Sequence, residues 1–142
     1  MSFWMMFLAA LVVGASANGE PADSIFDRLA KVHEFAFGGV GEGGDTSEGE
    51  KDFHAILSRA SALADFERLY SKGNPQAKAY ALVGIHSLSQ TRFEELANSL
   101  RNSKESVHAQ SGCKSFDVPI ENILQNIVAG RYSKIKAGDA EP

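Results

Sequence analysis

The 142-residue chain has one cysteine, Cys113, in the stretch SGCKS at 111–115, with His108 and Asp117 close by on either side. A thiol, an imidazole base and a carboxylate to orient it are the parts of a cysteine nucleophile, because the thiolate rather than the thiol attacks. Three readings of Cys113 stand open: a nucleophile with His108 as its base, a thiol that pairs with another chain, and a small buried apolar residue. Spacing weighs against the first. Extended chain sends successive side chains to opposite faces, so Val107 or Ala109, rather than His108, shares the face of Cys113. Free cysteine is among the most buried residue types, and a thiol packed in the interior is the leading expectation.

The four histidines, His33, His54, His86 and His108, fall on separate segments, with no HxxxH, HExxH or Cys-His pair at ligand spacing. They read as side chains lying beside apolar faces with their polar tips outward. Residues 39–44, GVGEGG, formally match GxGxxG. That pattern holds a dinucleotide when a strand leads in and a helix N-terminus receives the pyrophosphate. Here a helical stripe leads in, and Glu42 and Asp45 would repel phosphate. With Glu48 and Glu50 these carboxylates also lack the order of oxygen ligands that calcium loops require. No metal and no cofactor is expected.

Charge narrows the partners. With 14 basic and 18 acidic residues the net charge is −4, which gives no pull towards nucleic acid or anionic lipid. Residues 3–13, FWMMFLAALVV, form an uncharged apolar run, and Ala15-Ser16-Ala17 supplies the small-x-small pattern cut by signal peptidases. The run is shorter than the roughly 20 residues a membrane-crossing helix needs. Residues 1–17 therefore read as a cleaved signal peptide, and the protein as exported, either secreted or periplasmic, with no transmembrane span after cleavage. What remains has the commonest size for one domain, and a single cysteine leaves its stability to apolar burial.

Several elements follow from periodicity. Ile25, Leu29, Val32 and Ala36 lie on one helical stripe behind a cap at Asp23 or Ser24, with Gly38-Gly39 as its end. The glycine-rich acidic segment 38–49 reads as a mobile loop. Ser47 and Glu50 have capping-box spacing, and the stripe of Phe53, Ile56, Leu57 and Ala60 changes phase towards Phe66, Leu69 and Tyr70, which implies a bend or two helices. Pro75 opens the next helix. Its residues Ala79 to Ile85 are apolar or small on every face, the pattern of a buried helix, with Ala77, Ala81 and Gly84 leaving room for a close neighbour. Thr91 and Glu94 suggest a cap for the following helix. Residues 106–116 alternate as extended chain turning at Ser111-Gly112, and Asp117 would cap a last helix with Ile120, Ile123, Leu124, Ile127 and Val128 on one face. The fold expected is all-α: a compact bundle of about five helices spanning 18–135, with one short extended segment and a disordered tail at 136–142.

The buried alanine-rich helix and the amphipathic one after it, together 75–101, resemble a helical hairpin of the HEAT or armadillo kind. An irregular bundle fits the same pattern. The resemblance implies a scaffold that offers a surface to a protein partner without catalysis. Phe35, Phe37, Phe66 and Tyr70 are the aromatic candidates for such a surface, with membership of the core as the blander reading. An exported, non-catalytic protein-binding module is thus the leading function. An envelope-associated protein that assembles with its own copies through Cys113, and a small enzyme using Cys113 with His108, are the alternatives.

Overall fold

The computed structural model describes residues 22–133. In chain order these form α1 (Ala22–Ala30), β1 (Gly39–Val40), β2 (Asp45–Thr46), α2 (Glu48–Leu57), α3 (Ala62–Lys72), α4 (Pro75–Leu88), α5 (Gln90–Leu100), β3 (Ser106–Ser111), β4 (Lys114–Pro119) and α6 (Ile120–Val128). The fold is mostly helical, but two antiparallel hairpins, β1–β2 and β3–β4, correct the all-α expectation. The signal-peptide and tail assignments at 1–17 and 136–142 lie outside the described residues.

The core is built around α4. Asn74 caps it by accepting a hydrogen bond from the Ala77 N–H at 2.9 Å, and Pro75 sits in the first turn, where its missing N–H has no intrahelical acceptor to lose. From Ala77 to Ile85 every residue but Lys78 is buried, so this helix has neighbours on all sides. Gly84 is small for a reason the geometry makes plain: a methyl group there would lie 2.4 Å from the Phe66 ring of α3. Absence of a side chain is what lets α3 and α4 meet at this point.

The phase change in the second stripe resolves as two helices, α2 and α3. Ser47 caps α2 through the Glu50 N–H at 3.1 Å, yet the reciprocal half of the capping box is not made, because the Glu50 carboxylate accepts from Gly38 N–H at 3.0 Å instead. Only Ser89 separates α4 from α5. It caps α5 by accepting from Arg92 N–H at 3.3 Å, the role that Thr91 was expected to fill.

Helix α1 stops at Ala30, well short of the stripe that runs to Ala36. Long-range bonds supply the reason. The Ala30 and Val32 carbonyls accept from the Asn74 main chain and side chain at 3.0 and 2.8 Å. Phe35 then pairs with β3, donating to the His108 carbonyl at 2.8 Å and accepting from Gln110 N–H at 3.0 Å. Farther along, Gly41 N–H donates to the Gly112 carbonyl at 3.0 Å, and Gly112 N–H to the Gly39 carbonyl at 3.3 Å. The segment 35–41 therefore runs parallel beside β3 and ties the two hairpins together. The glycine-rich stretch 38–49, expected to be a mobile loop, is this hairpin and its approach, with Gly38, Gly41 and Gly44 taking up positive φ.

Extended chain over 106–116 is as the alternation implies: Val107 and Ala109 face the core, and their neighbours do not. The turn consists of Gly112 and Cys113, between the paired residues Ser111 and Lys114. Gly112 alone has positive φ there, +56°, which is the type II′ hairpin turn whose twist matches the strands. Asp117 does not cap α6. It lies within β4, and Pro119 precedes the helix, whose Ile120 N–H donates to the Glu105 carbonyl at 2.9 Å.

Candidate functional site

Cys113 is exposed, which corrects the expectation of a packed thiol. It occupies the second position of a two-residue loop at the hairpin tip, where the strand faces have ended, beside Gly112, which is bonded to Gly39 and Gly41. His108 lies mid-strand, about 10 Å down β3 from the strand end at Ser111 at the usual rise per residue, and so farther still from the sulfur beyond it. Its Nδ1 is 2.8 Å from Asp117 Oδ1 across the hairpin, and its Nε2 is 3.8 Å from Glu34 Oε1. Both ring nitrogens face carboxylates rather than sulfur, so the thiol–imidazole pair of the enzyme reading is not assembled. Asp117, expected to cap a helix, is instead the cross-strand partner of His108.

The other histidines lie apart. The His33 side chain is on the exposed surface, His54 Nε2 is 3.8 Å from buried Glu50, and the His86 ring meets Phe93 edge-on at 4.8 Å. Among the described residues no group of three or more His, Cys, Asp or Glu side chains is placed to hold a metal ion. Glu50 is buried, and burial raises its carboxyl pKa above the ordinary value, against the opposing pull of the Gly38 N–H and the nearby His54. Buried Asp52 receives a two-pronged bond from Arg28, 2.8 and 3.1 Å, as planar guanidinium groups make with carboxylates.

Phe35 and Phe66, at 2% and 0% exposure, have no surface to give a partner. Phe37 is half-buried among the rings of Phe35, Phe53, Tyr80 and Tyr132, and Tyr70 is half-buried with the Lys78 ammonium 5.6 Å from its ring centre. Of the four, Phe35 and Phe66 belong to the interior, while Phe37 and Tyr70 keep part of their rings at the surface.

A different surface is left uncovered. Helices α5 and α6 diverge around a groove of about 690 Å³. Its base is apolar, formed by the buried side chains of Phe93 on α5 and Leu124 on α6, and one turn farther along each helix half-buried Ala97 and exposed Val128 bring apolar surface to the opening. Glu94, Arg101, Glu121 and Gln125 form its rim. Val128 is 68% exposed although it ends the best-formed apolar stripe in the chain. Ile120, Ile123, Leu124 and Ile127 of that stripe are buried, and its far end, Val128, lies out at the groove. Stripe width carried the only sequence signal for this site, since nothing local states which part of a stripe the rest of the fold will cover.

No family model matches this chain, and neither a curated protein nor a solved structure matches it.

Proposed function

We propose that the chain is an exported, non-catalytic binding module of the HEAT-like hairpin kind, and that the α5–α6 groove receives one face of a helix from a protein partner. The observation that carries this reading is the uncovered apolar edge of that groove at Val128. Val128 on α6, 68% exposed, and half-buried Ala97 on α5 face the opening above the buried Phe93 and Leu124, and one apolar face of an amphipathic helix would cover them. The rim carries both charge signs, which suits a polar border around a dry centre. Among the described residues no helix is long and apolar enough to cross a membrane. The test is to immobilise residues 18–142, capture proteins from the exported fraction, and repeat with Ala97→Glu and Val128→Asp. A captured protein lost with both substitutions and retained by Cys113→Ser supports the groove; a set indifferent to both removes it.

The exposed thiol favours a second reading, self-assembly through Cys113. An exposed thiol at a hairpin tip lets two copies approach sulfur to sulfur. A dimer on non-reducing gels that reductant and Cys113→Ser both abolish supports it.

A further inference from the structure

The outer edge of β4 carries main-chain groups without a partner among the described residues. Antiparallel pairing turns alternate residues towards the partner strand and away from it. On β3, His108 and Gln110 point away, since both bond to Phe35 on the far side. Their cross-strand mates are Asp117 and Ser115, which therefore direct their N–H and C=O groups away from β3 on the opposite edge. Both residues are exposed. A strand laid along this edge could bond to each of them, as peptides do when they extend a sheet.

The face that such a strand would share is built for an apolar side chain and a negative charge. Lys114, Phe116 and Val118 alternate with Ser115 and Asp117, and so share the face of core residues Val107 and Ala109. Phe116 is nonetheless 45% exposed. With Val118, Phe35, Phe37, Tyr132 and Arg131 it lines a cleft of about 240 Å³ that contains no Asp or Glu. Neither Arg131 nor Lys114 enters an ion pair among the described residues. The carboxylates nearby, Asp117 and Glu34, lie with His108 and Ser115 on the other face of the hairpin, so the Lys114–Phe116–Val118 face carries a cation without an acid beside it.

We propose that β4 is a docking edge for an extended acidic peptide segment of a partner protein. The segment adds as a strand beside Ser115 and Asp117, seats an apolar side chain against Phe116 at the cleft, and sets carboxylates against Lys114 and Arg131. A second copy of this chain fits the edge less well, because Lys114 at one end and Pro119 at the other are the residue types that keep edges from pairing with themselves. This proposal does not rest on the α5–α6 groove.

The test is an amide correlation spectrum of residues 18–142 titrated with a capped hexapeptide that alternates glutamate with valine and phenylalanine. Its lysine counterpart and a fully N-methylated copy serve as controls. Docking at the edge predicts shifts centred on the Ser115 and Asp117 amides, binding at least tenfold weaker for both controls, and a similar loss with Arg131→Gln or Lys114→Gln. Val128→Asp, in the groove, should leave binding unchanged, so failure here and failure of the groove are read separately. The proposal is overturned if no shifts appear, if the lysine peptide binds equally, if the N-methylated peptide binds equally and so uses the cleft alone, or if the free chain dimerises through β4.

Discussion

The Tyr80 hydroxyl accepts from Ala36 N–H at 3.0 Å and donates to the Ala36 carbonyl at 2.8 Å, so one side chain of the central helix takes both main-chain groups of one residue in the segment that follows α1. Ser47 Oγ also donates to that carbonyl, at 3.1 Å. Gly49 completes the arrangement, since a methyl group there would lie 2.6 Å from the same hydroxyl. This node joins α4, the start of α2 and the strand-like segment beside β3. It holds the site-bearing hairpin against the helices.

Tyr80→Phe removes both bonds and leaves the Ala36 N–H buried without a partner, while Ser47 still serves the carbonyl. The cost expected for one orphaned buried donor is about 1–3 kcal/mol. A fall in the denaturation midpoint at unchanged slope would show it. Burial raises the Tyr80 phenol pKa above 10.0 in the folded chain. A raised acid is stabilising while protonated in both states and loses that advantage as pH climbs. Stability should therefore drop above about pH 10, where unfolded tyrosine ionises first, and Tyr80→Phe should blunt that drop.

Gly84→Ala sets helix propensity against packing. Alanine favours the helix by about 1 kcal/mol. The new methyl group, however, meets the wholly buried Phe66 ring at 2.4 Å, and overpacking of this kind costs about 1–3 kcal/mol. Net destabilisation is expected by thermal or chemical unfolding. Phe66→Leu in the same chain should recover part of it, a coupling that a double-mutant cycle measures.

Glu50→Gln keeps an acceptor for the Gly38 N–H but removes an acid whose folded pKa is raised by burial. The folded state then binds its proton more tightly than the unfolded state, so the wild type loses stability as pH rises from the ordinary carboxylate range through that raised value. The variant should lack this decline. Unfolding curves from pH 3 to pH 8 that run parallel for the two proteins would refute the account.

Cys113 should react with a thiol reagent in the folded protein without denaturant, since it is exposed. His108→Gln should leave the rate unchanged, because both ring nitrogens face carboxylates. A large drop in rate would restore the imidazole as an activating base. Cys113→Ser, on the surface and without packing, should alter stability by less than about 0.5 kcal/mol.

The sequence by itself determined the parts whose cause is local. Asn74, Pro75 and an all-apolar run specify a buried α4; Ser47 with Glu50 specifies where α2 begins; alternation specifies extended chain over 106–116; a 3.6-residue period specifies α6. Each of these depends on residues within a few positions of one another. What only the tertiary structure decided depends on partners far away in the chain. Helix α1 ends early because Asn74, Tyr80 and β3 compete for the main chain after Ala30, and the glycine-rich segment orders because Gly112 lies beside it. Asp117 leaves a capping role for His108 because the hairpin register sets them opposite. Exposure was decided last of all: Cys113 and Val128 are residue types that seek the interior, but burial is a property of how closely distant segments approach, and those near these two leave their side chains uncovered.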